Sequence, residues 1–213
     1  MIPLAFDIGA NVGNWAIHNI HYNMIQQIIS VEASQGTYEK LKQKTEPYKD
    51  RIIPLHSAVS NQPENSQLIF YESEEHNFLS TLNKEWFTHP SSRFYGISFK
   101  ETICPSISID KLIELYGKPN LIKIDVEGAE YECLQSLSQK VDMLCFEWAS
   151  ETYQYSCLCI DYLVSLGFTG FYIQLEDNYV FRPELNQYNT AEHAKEVLSK
   201  MTPRQEWGML WAI

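Results

Sequence analysis

The sequence predicts an α/β fold with a mostly parallel sheet and helices on both faces, and three observations support this class. The chain has 213 residues, of which 45% are hydrophobic and 13% aromatic, so it can bury a complete core. Apolar runs alternate with segments of helical period, and no internal repeat interrupts them. Strand–helix alternation with right-handed crossovers gives a parallel sheet whose carboxyl edge carries the ligand site.

Short apolar runs predict the strands, and a 3.6-residue apolar period predicts the helices. Asn14 is the expected N-cap of the first helix. Residues 73–100 are polar, aromatic and aperiodic, which predicts a long excursion. In order, the expected elements are a strand at 4–8, a helix at 15–23, a strand at 28–32, a helix at 37–44, strands at 52–59 and 68–71, a helix at 109–116, a strand at 121–125, a helix at 131–137, a strand at 143–147, a helix at 162–166, a hairpin of 170–175 with 179–181, a helix at 191–201 and a strand at 208–213.

Charge and cysteine content exclude several classes of protein. Sixteen Lys and Arg against 27 Asp and Glu give a net charge of −11, and the cations are scattered, so no nucleic-acid partner is expected. No apolar run approaches the ~20 residues of a membrane helix, and no secretory signal is visible, so no membrane partner is expected. The five cysteines form no CxxC pair, which predicts a reduced, cytoplasmic protein without a structural metal.

Two features after the first strands indicate a nucleotide-like ligand. Asp7-Ile8-Gly9-Ala10-Asn11-Val12-Gly13 follows the first strand, and its glycines let the backbone approach a ligand at a helix N-terminus. The spacing is G-x-x-x-G, which argues against the G-x-G-x-x-G turn that binds a dinucleotide pyrophosphate. Glu32 ends the second strand, where an acid can accept hydrogen bonds from both ribose hydroxyls. The alternative interpretations are a ligand-free turn and a solvated surface acid.

A third feature follows the strand at 121–125. Asp125, Glu127 and Glu130 place three carboxylates within six residues, broken by Gly128. Strand alternation puts Lys123 on the same face as Asp125, where its charge holds a carboxylate ionised. Glu130 is best explained as a first-turn acid favoured by the helix dipole. Asp125 and Glu127 are candidate site residues because they lie at the ligand edge.

The segments 6–13 and 122–130 resemble the hallmarks of FkbM-type methyltransferases, which are class I enzymes dependent on S-adenosylmethionine. The runs at 31–33, 57–60 and 80–82 also fall where that family has similar sequences, so the resemblance covers most of residues 4–150. It implies a Rossmann-like methyltransferase sandwich with an antiparallel last strand, in a single domain over 1–213. Residues 73–100 and 150–213 are then the expected substrate-recognition elements.

The resemblance also implies roles for individual residues toward S-adenosylmethionine and its product S-adenosylhomocysteine. Asp7, Gly9 and Asn11 would hold the methionine end of the cofactor, and Glu32 its ribose. Ala33 would line the adenosine, and Asp125 would lie near the sulfonium. Ser57 and Ala58, after the third strand, would border the adenine.

The expected reaction is O-methylation of a sugar or glycan hydroxyl. Such a hydroxyl is a poor nucleophile, so a general base is needed, and Asp125 and Glu127 are the first candidates, ahead of Glu147 and His76. A metal bridging Asp125 and Glu147 ranks below a metal-free site, because no partner stands at an obvious third position. Amphipathic rings can cover the apolar faces of a sugar. The candidates for this acceptor wall are Tyr71, Phe78, Trp86, Phe87, Phe94, Tyr95, Trp148, Tyr153 and Tyr155.

Other functions remain open from the sequence. The acceptor of an O-methyltransferase could be a small natural product instead of a carbohydrate. An NAD-dependent oxidoreductase or a non-catalytic nucleotide-binding domain would use the same kind of sheet. The chain begins almost at its first strand, which suggests either a minimal enzyme or one domain of a larger glycan-synthesis polypeptide.

Overall fold

The computed structural model describes residues 2–22, 25–179 and 182–213. In chain order the strands are β1 (Ile2–Ile8), β2 (Ile25–Glu32), β3 (Ile52–His56), β4 (Ala58–Val59), β5 (Gln67–Ser73), β6 (Phe99–Ile107), β7 (Leu121–Ile124), β8 (Met143–Ala149), β9 (Phe171–Leu175) and β10 (Trp207–Ala212). The helices are α1 (Asn14–His21), α2 (Gln35–Thr45), α3 (Glu85–Thr88), α4 (Ile109–Tyr116), α5 (Glu130–Leu134), α6 (Tyr153–Ser165) and α7 (Ala191–Ser199). Over these residues, no helix has the length and apolar character that a membrane span requires.

Seven strands form the main sheet, in the order β3-β2-β1-β7-β8-β10-β9. β1 pairs in parallel with β2 and with β7, so the strand order reverses between β1 and β7. The pairs β2–β3 and β7–β8 are also parallel, whereas β10 runs antiparallel to β8 and β9. The expected α/β fold, with a mostly parallel sheet and an antiparallel last strand, is confirmed.

Alternating side chains of the central strands fill a core on each face of this sheet. In β1, Phe6 and Ile8 belong to the larger core, which includes residues of α4, α5, α6 and α7. Ala5 belongs to the smaller core, with Trp15 and Ile20 of α1. Full burial of a Phe or Ile side chain contributes ~1.5–3 kcal/mol. The strands that end at the ligand edge are therefore anchored on both faces.

A small second sheet, in the order β4-β6-β5, stands beside the main one. The expected strand at 52–59 divides at Ser57, with β3 in the main sheet and β4 in the small one. β6 was not expected, because Phe99–Ile107 mixes charged and apolar residues and contains a proline. It pairs with β5 along seven residue pairs, from Gln67–Pro105 to Ser73–Phe99. The excursion at 73–100 therefore connects two paired strands.

Three further elements differ from the sequence-based expectations. Gly13, with a φ of 82°, caps α1, and Asn14 is the first helical residue; Asn23, the expected end of this helix, lies outside the described residues. α6 is longer than predicted because Ser156 and Cys159 carry its buried stripe, and an apolar pattern does not count them. The hairpin expectation is wrong for Tyr179, which is in no strand, and β9 pairs with β10 instead. Val180 and Phe181, the rest of that expected arm, lie outside the described residues.

Candidate active site

A cavity of about 900 Å³ opens at the carboxyl edge of β1, β2, β7 and β8. It lies where the strand order reverses, which is the usual ligand position in open α/β sheets. The excursion at 73–100 and the turn at 176–179 form its other walls. The predicted residues that line it are Gly9, Asn11, Glu32, Ala33, Ser57, Ala58, Asp125, Glu127 and Glu147.

Gly9 brings β1 and β7 into close contact at the floor of the cavity. Its φ is 76°, and a Cβ atom there would lie 1.7 Å from the carbonyl oxygen of Asp125. The backbone N–H groups of Gly9 and Ala10 both donate to the carbonyl of Val31, at 3.0 and 2.9 Å. The turn is thus fixed to β2 as well as β7, and only glycine fits its first position.

Glu32 is oriented into the cavity by the backbone on both sides of it. Its Oε2 accepts from the Asn11 N–H at 2.9 Å, and its Oε1 accepts from the Ser34 N–H at 2.9 Å. Burial is the main reason that its pKa rises to about 7. Each carboxylate oxygen can accept a second hydrogen bond, so both remain able to bind ligand hydroxyls. This arrangement fits the ribose of a nucleoside cofactor.

The region of the cavity next to Glu32 has an apolar wall, which suits a nucleobase. Ala58, Val59, Phe70 and Leu82 line it. The Ser57 hydroxyl donates to the Pro105 carbonyl at 2.8 Å, so this side chain is already used to join the small sheet to β3. This wall can therefore pack against a flat ring through apolar contacts, but Ser57 has no hydroxyl proton free to donate to it.

Three carboxylates meet at the other end of the cavity. Ligand atoms of Asp125, Glu127 and Glu147 all lie within 4.8 Å of one another. The Lys123 ammonium donates to Asp125 Oδ2 at 2.7 Å, and the Trp86 indole N–H donates to Glu127 Oε2 at 3.2 Å. The backbone of Glu127 is left-handed, with a φ of 56°, which turns this carboxylate back toward β8.

Two of these carboxyl groups have a raised affinity for protons. Burial, followed by the charge of Asp125, raises the pKa of Glu127 well above its usual value. Burial and the nearby Glu127 raise the pKa of Glu147 in the same direction. A general base works best when its pKa is near the working pH. The same three carboxylates can also ligate a divalent cation, since Glu127 supplies the third position that the sequence did not reveal.

The Glu130 side chain holds the backbone of the loop that carries Glu127. It is the first residue of α5, and its Oε1 accepts from the backbone N–H groups of Val126 at 3.1 Å and Gly128 at 3.2 Å. The helix-terminal role expected of Glu130 therefore extends to holding the loop that carries Glu127.

Two candidates do not line the cavity. Asp7 is fully buried, and neither of its carboxylate oxygens has a hydrogen-bond partner. It lies opposite Lys123 in the β1–β7 register, and burial raises its pKa to about 7. The direct contact of Asp7 with bound cofactor that the resemblance implied is therefore not offered by this geometry. His76 is exposed and stacks on the cavity-lining Phe78 with 5.3 Å between ring centroids, but its own side chain does not line the cavity.

Of the nine aromatic candidates for the acceptor wall, Phe78, Trp86 and Phe94 line the cavity, and Trp207 joins them from the start of β10. The other six are excluded from this wall by their positions. Phe87 and Trp148 are buried in the core, whereas Tyr95 is 58% exposed. Tyr71, Tyr153 and Tyr155 also lie outside the lining.

Sequence reasoning missed the turn at 176–179, which covers the cavity beside Lys123. The Asn19 side-chain amide donates to the Tyr179 carbonyl at 3.0 Å, which fixes this turn to α1. His18 of α1 lines the cavity and meets the Tyr179 ring edge-on, at 6.0 Å between centroids. No local pattern signals a contact between residues so far apart in the chain.

Comparison with known proteins agrees with this geometry. The chain is 24% identical over 143 residues to the hexuronic acid methyltransferase AglP of Haloferax volcanii, which covers 66% of this chain. The chain spans about half, 52%, of that relative's length. The crystal structure of methyltransferase FkbM from Methylobacillus flagellatus KT superposes with a TM-score of 0.54 and 14% identity, over 99% of this chain and 43% of the other. That superposition supports the fold.

The sequence model of the methyltransferase FkbM domain matches residues 7–162. The match starts at the glycine turn, includes Glu32 and the three carboxylates, and ends within α6. Because it covers most of the chain and every element that builds the cavity except the turn at 176–179 and β10, the chain belongs to the FkbM methyltransferase family.

Proposed function

We propose that this chain transfers a methyl group from S-adenosylmethionine to a hydroxyl of a sugar or glycan. One observation carries the proposal: Glu32, with hydrogen-bond capacity for a ribose, and the Asp125–Glu127–Glu147 cluster line the same cavity. When bound, S-adenosylmethionine supplies an electrophilic methyl group on a positively charged sulfur. Gly9 and Asn11 would contact its methionine end, Glu32 its ribose, and Ala33 and Ala58 its adenosine.

The three carboxylates would divide the work of activating the acceptor. Asp125 forms an ion pair with Lys123 at 2.7 Å, and this position suits its carboxylate to stabilise positive charge beside the reacting centre. Burial and neighbouring carboxylates raise the pKa values of Glu147 and Glu127, so in its ionised form either carboxylate is a stronger base toward the proton of the hydroxyl. We assign the base to Glu147, because the indole N–H of Trp86 occupies Glu127. Alignment of the hydroxyl with the methyl group supplies much of the remaining rate.

Two observations support a carbohydrate acceptor. Trp86, Phe94 and Trp207 line the cavity, and such rings pack against the C–H faces of sugars. The relative AglP is named for a hexuronic acid, which is a sugar.

The five cysteines are free, which supports a reducing, cytoplasmic location for the reaction.

The test is a transfer assay with methyl-labelled S-adenosylmethionine against sugars, glycosides, phenols, RNA and peptides, with mass spectrometry of the product. We expect label on a sugar oxygen, and we expect Glu147→Gln to abolish it while cofactor binding persists. Transfer to phenols alone would keep the reaction and replace the substrate. Cofactor binding without transfer to any acceptor would indicate a non-catalytic domain.

A further inference from the structure

The charged residues that line the cavity are strongly unbalanced. Six of them are acids, and only two lysine or arginine side chains line the cavity in the part of the chain that the structure describes. The cations are Arg93 and Lys123. The acids are Glu32, Asp125, Glu127, Glu147, Glu176 and Asp177.

Both cations already have carboxylate partners. Lys123 is 4% exposed, bonds to Asp125 at 2.7 Å, and is further stabilised by the charges of Asp7 and Asp177. The Arg93 guanidinium binds Glu151 through two contacts of 2.6 Å, and the Glu151 side chain is 1% exposed. A guanidinium held in this bidentate way has little capacity for a second anion.

The remaining basic side chain at the cavity does not change this balance. His18 lines it, but its Nε2 is buried from solvent, and its ring packs between Tyr22 and Tyr179. Where one of the clustered carboxyl groups holds a proton, that group is neutral rather than positive. An acceptor bearing a carboxylate or phosphate would therefore meet like charges, and no lysine or arginine side chain among the described residues lining the cavity is left unpaired to bind it.

From this imbalance we infer that the acceptor is a neutral or amino sugar, and that sugars with a carboxylate or phosphate near the reacting hydroxyl are rejected. The inference rests on the proposed function and narrows its substrate class. A protonated amine would instead find carboxylates at the rim, from Glu176 and Asp177, and aromatic rings nearby, which attract cations. The acceptor would thus differ in charge from the hexuronic acid for which AglP is named.

The test measures kcat/KM for matched glycosides of several sugars, each in neutral, amino and uronic acid form, with labelled S-adenosylmethionine and the full chain. Because juxtaposed like charges are strongly unfavourable, we expect each acid to react at least about a hundredfold more slowly than its neutral counterpart. A uronic acid that reacts within tenfold of its neutral counterpart, or faster, would overturn the inference and leave the methyltransferase function intact. Transfer to none of the sugars would overturn the proposed function, and this inference with it.

A charge-reversal variant tests the cause of the selectivity. Glu176 lines the cavity at its exposed rim, so Glu176→Lys places a cation there, and we expect the acid-to-neutral ratio of kcat/KM to rise about tenfold. Glu39→Lys makes the same change on the exposed face of α2, outside the cavity, and should leave that ratio unchanged. An equal ratio in both variants, with melting temperatures preserved, would show that the lining charge does not select the acceptor.

Discussion

Replacing Glu32 with alanine is the most direct test of the cofactor site. The change removes both oxygens that would accept the ribose hydroxyls, and it also removes the acceptors of the Asn11 and Ser34 N–H groups. Hydrogen bonds to a charged acceptor contribute ~1.5–3 kcal/mol each, so two of them at the lower bound amount to about 3 kcal/mol. That free energy corresponds to about a hundredfold increase in Kd. Because water can replace part of the lost hydrogen bonding, we expect Glu32→Ala to raise Kd at least tenfold.

The assay is titration calorimetry with S-adenosylmethionine and S-adenosylhomocysteine at pH 8. There the Glu32 carboxyl is ionised, because its pKa is about 7. Glu39→Ala is the matched control, since Glu39 is an exposed acid on α2 that does not line the cavity. The melting temperature of Glu32→Ala is measured alongside, because two backbone donors lose their acceptors. Unchanged affinity in a folded Glu32→Ala would refute the assignment of this residue to the ribose.

The same titrations at pH 6 give a second, independent signature. Ligand hydroxyls bind the ionised carboxylate more strongly than the protonated acid, so a proton taken up below pH 7 must be released on binding. Affinity should therefore fall between pH 8 and pH 6 in the wild-type protein and change much less in Glu32→Ala. A pH dependence that survives the substitution would assign the titration to another group.

Three further predictions concern the carboxylates under and beside the cavity. Asp125→Asn should lower kcat at least tenfold. Its melting temperature should stay near normal, because the charges of Asp7 and Asp177 still stabilise Lys123. A variant that mainly unfolds would instead make Asp125 a structural anchor. Trp86→Phe keeps a ring beside Gly128 but removes the N–H that lowers the pKa of Glu127, so Glu127 holds its proton to higher pH and its charge no longer raises the pKa of Glu147. The acidic limb of the kcat–pH profile, set by Glu147, should therefore move to lower pH, and an unmoved limb would separate Glu127 from the titration of the base. The pKa of Asp7 is higher in the folded protein than in the unfolded chain, so its contribution is present at low pH and lost as pH rises through about 7. Urea unfolding should therefore show a fall of about 1.4 kcal/mol in wild-type stability from this group between pH 6 and pH 8, and Asp7→Asn should remove that part of the fall; an identical slope would exclude Asp7 as a source.

The strands that carry the site could be predicted because they are buried on both faces. β1, β2 and β7 each contain a short apolar run, and a residue of different chemistry stands at or directly after each strand end: Gly9, Glu32 or Asp125. That contrast predicts the ligand edge from the sequence alone. The same reasoning could not find β6, since most of its side chains are exposed or half-buried and its stability comes from pairing with β4 and β5.

Residues that long-range contacts bring to the cavity have no local pattern in the sequence that predicts their position. Trp86 binds Glu127 from 41 positions away, and Tyr179 binds Asn19 from 160 away. Conversely, His76 and Asp7 have side chains whose chemistry suits a site. In the fold, however, the His76 side chain is exposed, and Asp7 is fully buried outside the cavity lining. Sequence patterns locate a strand end well, yet which side chains converge there depends on the tertiary fold.

The contact between Gly9 and the Asp125 backbone also links the two ends of the cavity energetically. No side chain separates the turn that would hold the cofactor from the strand end that carries the acidic cluster, so displacement of one requires displacement of the other. A shift of the turn on cofactor binding would therefore move the Asp125 backbone and change the affinity for the acceptor. By thermodynamic reciprocity the acceptor then changes cofactor affinity by the same factor. The two substrates of this chain should accordingly bind as coupled ligands.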